Sequence, residues 1–237
     1  MKADTINIQR IKSKKNDTKI ILDDEVSNKS KIRENIEAII IAVILALFIR
    51  TFIIQAFKIP SGSMIPTLLI GDHILVNKFV YNVKIPFVNW TIIPFKKPQR
   101  QDIVVFKYPK DPDKDYIKRV IGIAGDIVEI KEKKVFINGK PIKDEHAYFT
   151  DNNVKNGRFF SRDNYGPEKV PENHLFVLGD NRDNSYDSRY WGFVNIDAVK
   201  GNAFIVYSSW DTSDVNWTLS DFFNINIRWG RFGHILR

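Results

Sequence analysis

One stretch of the chain is apolar without interruption. Ala38 to Ile49 holds no polar residue, and Thr51-Phe52-Ile53-Ile54 extends the run beyond Arg50. As a helix, Ile36–Ile54 would measure about 28 Å at ~1.5 Å per residue, close to the ~30 Å hydrocarbon core of a bilayer. A buried core helix would carry a polar face, and this run has none. A cleavable leader would need small residues at a cut site, which Leu45-Ala46-Leu47 and Gln55-Ala56-Phe57 do not supply. The pattern therefore predicts a transmembrane helix over 36–56, with Arg50 snorkelling to the headgroups. Residues 1–35 are polar, with nine Lys/Arg against five Asp/Glu up to Arg33, and read as a disordered basic tail. That basic flank puts the N-terminus in the cytoplasm and residues 57–237 outside.

Beyond residue 57 the period changes to that of strands. Ile74–Val80, Ile103–Lys107, Tyr116–Ile123, Ile127–Ile130, Val135–Ile137, Leu175–Leu178 and Ala203–Tyr207 are short runs rich in Ile, Val, Phe and Tyr. Gly71-Asp72 and Gly125-Asp126 mark turns before strands, and Gly179-Asp180 marks the end of one. Asn138-Gly139 is the signal of a tight hairpin. Residues 141–173 are polar, with scattered Gly and Pro, and look like an insertion. The expected fold is mainly β: a transmembrane helix, then an extracytoplasmic antiparallel β-sheet domain over 57–237 with a smaller lobe inserted at about 131–173.

Composition narrows the chemistry. The chain has no cysteine, which removes disulfides, thiol nucleophiles and Cys-ligated zinc. The net charge of +8 would suit nucleic acid or an anionic bilayer, and the span before the β domain favours the bilayer.

Three segments stand apart. Pro60-Ser61-Gly62-Ser63-Met64-Ile65-Pro66 follows directly on the apolar run, and its prolines interrupt regular structure on both sides of two serines. Asp115-Tyr116-Ile117-Lys118-Arg119-Val120-Ile121 alternates as a strand, with Lys118 on one face and Arg119 on the other. A lysine buried there would lose affinity for its proton and approach the range of a general base, whereas one at an edge would reach water. Gly179-Asp180-Asn181-Arg182-Asp183-Asn184-Ser185-Tyr186-Asp187-Ser188-Arg189 crowds carboxylates and guanidiniums together. Asp180, Asp183 and Asp187 are expected to pair with Arg182 and Arg189 and so stiffen a loop. The interleaved arginines argue against a calcium loop, and no metal or cofactor is expected. His73, His146, His174 and His234 lie in ordinary contexts, so a serine–lysine pair fits better than a Ser-His-Asp triad.

Taken together and in order, these segments resemble bacterial type I signal peptidase. Five boxes carry the resemblance: Phe48-Ile49-Arg50-Thr51-Phe52, Ile59 to Leu68, Asp102-Ile103-Val104-Val105-Phe106, Asp115 to Arg119, and Gly179 to Ser185. The resemblance implies a membrane-bound endopeptidase that removes signal peptides after small residues through an acyl-enzyme. It implies Ser63 as nucleophile, Lys118 as general base, and the Ser61 hydroxyl with the Ser63 backbone N–H as oxyanion hole. Ser185 would hydrogen-bond the lysine amine. Asp187 with Arg189 would form a supporting salt bridge, and Arg119, Asp180 and Arg182 would fix the scaffold. Phe57, Ile59, Met64 and Ile117 would line shallow pockets. The implied substrates are secretory preproteins and the implied setting is the bacterial plasma membrane, with lipid but no nucleic acid as partner and a monomeric enzyme. Two positions depart from the family: Gln101 stands where glycine is usual, and Tyr186 where a small residue is typical.

Overall fold

The computed structural model describes residues 33–81, 83–84, 91–92, 96–155, 161–211 and 226–236. The chain divides into two compact units, Met1–Ile49 and Arg50–Arg237. The first contains helix α1, residues 33–48, in which Ile36, Ile39, Ile44 and Leu45 are each more than half exposed. A π-helical turn, Ile49–Ile53, follows. No helix among the described residues is long and apolar enough to cross a membrane. The expected helix over 36–56 is corrected at its C-terminal end: Ile54 already belongs to a strand, because residues 54–58 find backbone partners in residues 73–77. Residues 1–32 of the expected basic tail lie outside the described residues.

The second unit is built from strands. In chain order they are β1 (Ile54–Lys58), β2 (Asp72–Asn77), β3 (Val83–Lys84), β4 (Thr91–Ile92), β5 (Ile103–Tyr108), β6 (Asp111–Ile123), β7 (Ile127–Lys131), β8 (Lys134–Ile137), β9 (Lys140–Pro141), β10 (Tyr165–Lys169), β11 (His174–Leu178), β12 (Val194–Asn195), β13 (Val199–Asp211), β14 (Asn226–Ile227) and β15 (His234–Ile235). A short helix, α2 (Ser188–Trp191), precedes β12. The main sheet runs β1-β2-β13-β5-β6-β11-β12, with β14 and β15 added on β13. Its pairings are antiparallel, so the expected mainly-β antiparallel architecture is found.

Alternation along the central strands separates two cores. Ile103 and Val105 of β5 pack with Ile59, Met64, Leu68, Ile74 and Val76. Val104 and Phe106 pack with Val120, Val177, Trp191 and Val199. On β6, Ile117 joins the first cluster and Tyr116 and Val120 the second, as the two-residue period requires.

The smaller lobe is a second sheet, ordered β10-β7-β8-β9, whose Val128, Ile130, Val135, Ile137 and Val170 share one cluster with Ile121, Phe176 and Leu178 of the main sheet. It begins at Ile127, before the expected 131, because β7 pairs with β8 and β10 rather than with the main sheet. Asn138 and Gly139 both take positive φ, 53° and 76°, and make the hairpin turn that their sequence signals.

Candidate active site

The site is assembled from three segments distant in sequence. β1 leads into Ile59 and Pro60, after which Gly62–Met64 forms a single 3-10 turn with Ser61 at its N-cap. Met64 and Leu68 are completely buried and anchor this turn in the core. The Ser61 side chain makes no capping hydrogen bond and is exposed. β6 lies four positions from β1 in strand order, yet the β1–β2 connection reaches over to it. There Lys118 Nζ donates to Ser63 Oγ at 2.6 Å.

Lys118 is only 4 % exposed. Burial lowers its pKa to about 8, against the opposing pull of the Asp187 and Asp180 carboxylates, with the Arg189 cation adding to the lowering. Its backbone sits opposite Val104 in the middle of the sheet, and its amine lies 5.7 Å from the centre of the Tyr116 ring.

The third segment closes the site from the other side. The Asn181 backbone N–H donates to the Ser63 carbonyl at 3.1 Å, and Asn181 Nδ2 donates to the Gly62 carbonyl at 3.0 Å. Thr67 Oγ1 donates to Asp180 Oδ2 at 2.5 Å. Gly179 allows this approach: a Cβ there would lie 2.4 Å from the Ser63 carbonyl oxygen and 2.2 Å from Ser185 Oγ. Any larger residue would push the serine turn away from β6.

Around this contact the ion pairs differ from those expected. Asp180 pairs with Arg119 through two hydrogen bonds of 2.8 Å, both side chains fully buried, and Arg119 Nη1 also donates to the Gln101 carbonyl. Asp183 pairs with Lys133 of the small lobe at 2.9 Å and accepts from the backbone N–H groups of Thr150 and Asp151. Arg182 pairs with Asp144, also of the lobe, rather than with a carboxylate of its own segment. The correction has a physical cause: neighbouring side chains in a 3-10 turn splay apart, and the lobe brings its own carboxylate and amine to meet them. Asp187 and Arg189 do pair as expected, with two bonds of 2.8 Å, and Asp187 also accepts from the Gly179 N–H. Burial works to raise its pKa, but the Arg189 charge and hydrogen bonds, with the bond from the Gly179 N–H, outweigh it and hold the carboxyl below its usual range.

Ser185 is buried beside this carboxylate, but its hydroxyl forms no hydrogen bond of full geometry. The expected bond from Ser185 to the Lys118 amine is therefore absent; the Lys118 amine bonds Ser63 instead.

An open cleft of about 460 Å³ lies over the pair, with residues 60–63 and 115–118 as walls and Asn181, Asn184 and Tyr186 beyond. Of the four expected pocket residues, Ile117 lines it. Ile59 and Met64 are 2 % and 0 % exposed and belong to the core; Phe57 is half-buried against that core. None of the four histidines borders the cleft. Gly179 and Asn181 lie within the Gly179-to-Ser185 box and Thr67 within the Ile59-to-Leu68 box, but the sequence assigns none of them a role, because no residue type there declares one.

The chain's similarity to known proteins agrees in extent with these segments. A family model described as signal peptidase, peptidase S26, matches residues 32–210. The chain belongs to that family. A signal peptidase I of Pseudomonas fluorescens is 40 % identical over 195 residues, covering 70 % of this chain and 69 % of the relative. One from Aquifex aeolicus is 36 % identical over 228 residues, covering 75 % and 84 %. A solved signal peptidase I from Enterococcus faecalis is 36 % identical, covers 45 % of this chain and 97 % of its own, and superposes with a TM-score of 0.38, too low to compare geometry. The three segments that form the cleft all fall within residues 32–210.

Proposed function

We propose that this signal peptidase is a membrane-anchored serine endopeptidase in which Ser63 attacks the scissile carbonyl and Lys118 takes the Ser63 proton. One observation carries the proposal: the 2.6 Å hydrogen bond between Ser63 Oγ and a lysine amine that is almost wholly buried. A lysine with its usual pKa near 10.5 is nearly all protonated at neutral pH; one lowered to about 8 supplies an appreciable neutral fraction. The attack forms an acyl-enzyme and frees the amine of the mature protein, to which Lys118 returns its proton. Lys118 then activates water to release the signal peptide. The Ser61 hydroxyl, which makes no cap, and the Ser63 N–H meet the oxyanion. Arg119, Asp180, Arg182, Ser185, Asp187 and Arg189 hold the loop that backs the serine turn. Phe57 and Ile117 offer apolar surface to small side chains before the cut.

The anchor in this proposal is α1, whose apolar side chains from Ile36 to Phe48 are exposed, with the π turn that follows it. Lipid would cover them, with the basic tail in the cytoplasm and the β domain on the outer side. The enzyme acts there as a monomer on secretory preproteins.

The test is cleavage of a purified preprotein in detergent by the full chain, by Ser63→Ala and by Lys118→Met. Wild type is expected to process it and both variants to lose at least about a hundredfold. Processing by either variant at the wild-type rate overturns the assignment. The rate should rise with pH through about 8 and then level, as Lys118 loses its proton; a flat profile from pH 5 to 9 contradicts a lysine base.

A further inference from the structure

The cleft has two unlike sides. On one face of β6, Ile117 packs toward Phe57, Ile59 and Met64, the side that the proposed function gives to the residues before the cut. On the other face lie Tyr116 and Lys118, and Tyr116 stacks flat on Tyr108, 4.5 Å between ring centres and 6° between planes. Tyr186 stands on that second side. Its ring meets Tyr108 edge-on at 6.4 Å and stacks on Tyr190 at 5.4 Å.

Tyr186 is nevertheless 48 % exposed and lines the cleft together with Asn184. A ring that is braced on two sides and bare on a third loses little freedom when a ligand covers it. An exposed polar loop has no packing need for such a ring. Its position beside the face that carries Lys118 matters for the reaction, because Lys118 must deliver a proton to the departing amine.

We propose that the Tyr186 ring is a specificity-determining surface for the leaving-group side of the cleft, receiving an apolar or aromatic side chain from the first residue after the cut. The proposal rests on the peptidase function set out above. Tyr108 and Tyr190 are its positioning residues, since they hold the ring without facing the substrate. An aromatic or apolar contact of this kind favours its ligand by about three- to tenfold over glycine.

The experiment uses the full chain in detergent and signal-peptide substrates with Ala-x-Ala before the cut and Gly, Leu or Phe after it. The readout is the ratio of kcat/KM between Phe or Leu and Gly. Wild type is expected to give a ratio of about three to ten, Tyr186→Phe to retain it, and Tyr186→Ala to bring it within about twofold of unity. A ratio unchanged in Tyr186→Ala overturns the proposal, as does a ratio near unity in wild type. An equal loss on all three substrates overturns it too, because that is the mark of a purely structural residue. Ser63→Ala separates the two levels: cleavage that survives it sinks the peptidase assignment and this inference together, whereas Ser63-dependent cleavage with a flat ratio sinks only the inference.

Discussion

Lys118 and Arg119 are neighbours on β6, both buried, at 4 % and 0 % exposure, and on opposite faces of the strand. Their surroundings differ completely. Arg119 meets Asp180 through two 2.8 Å bonds and gives a further N–H to the Gln101 carbonyl. Lys118 meets a neutral hydroxyl. Burial is the same burden for both, but only Arg119 has direct compensation from a full opposite charge. The lesson is that a buried cation becomes a structural element or a proton acceptor according to what lies within 3 Å of it. Lys118 has its carboxylates near enough to be felt but not to bond, and so its pKa stops at about 8 rather than falling further.

The largest effect should come from breaking the compensated side. Arg119→Met leaves Asp180 buried without its guanidinium and is expected to cost about 3–5 kcal/mol of stability, measured by urea unfolding. A loss below about 1 kcal/mol would show that the pair contributes little. The uncompensated side should respond in the opposite direction. Lys118→Met removes a buried charge and keeps the length of the side chain. The depression from 10.5 to about 8 corresponds to about 3 kcal/mol, so this variant should gain up to that much at pH 7 while losing activity.

The same pair of proteins sharpens the point with pH. Below pH 8 Lys118 is charged in both folded and unfolded chains, and the full penalty of burying it is present. Between about 8 and 10.5 the unfolded chain still binds a proton that the folded chain has released, so the stability contributed at this site rises with pH. The advantage of Lys118→Met should therefore shrink across that window and vanish above it. A constant difference between the two unfolding curves from pH 7 to 10 would contradict the depressed pKa.

The smallest effect concerns the support of Arg119. Gln101 holds φ at 76°, a left-handed conformation that costs a residue with a Cβ about 1–2 kcal/mol, and its side-chain carbonyl is buried with no hydrogen-bond partner. Gln101→Gly is expected to stabilise by about 1 kcal/mol after the greater freedom of the unfolded glycine is counted. Its carbonyl would still accept from Arg119, so a destabilised variant would show that the glutamine side chain packs usefully.

Much of this contrast was visible in the sequence. Two-residue alternation put Lys118 and Arg119 on opposite faces, and the central β5, β6, β11 and β13 were marked by their Ile, Val and Phe content. What the pattern left open was whether Lys118 was buried, since that depends on strands contributed from elsewhere in the chain. β1 was hidden because its Ile54 and Phe57 continue the apolar run of the preceding helix. β10 was hidden because Tyr165-Gly166-Pro167-Glu168-Lys169 has a polar, broken composition. The pairings of Asp183 with Lys133 and Arg182 with Asp144 join the Arg182–Asn184 turn to loops of the small lobe, and no local spacing encodes them. Ile59 and Met64 are pocket residues by the resemblance alone, and their burial at 2 % and 0 % could not be read from sequence because it depends on strands brought in from elsewhere. Of the aromatic residues near the C-terminus, Trp210 and Trp229 are 39 % and 71 % exposed, while Trp217, Phe222 and Phe223 lie outside the described residues.

The close fit of Gly179 against the serine turn ties together pieces of the chain that lie far apart in sequence. Its segment emerges from the ribosome more than a hundred residues after Ser63, and β13, which separates β2 from β5, comes later still. The hydrogen bonds from Asn181 to Gly62 and Ser63, and from Thr67 to Asp180, join those distant pieces once both have been made. A single glycine thus governs whether the early and late parts of the site can be brought together.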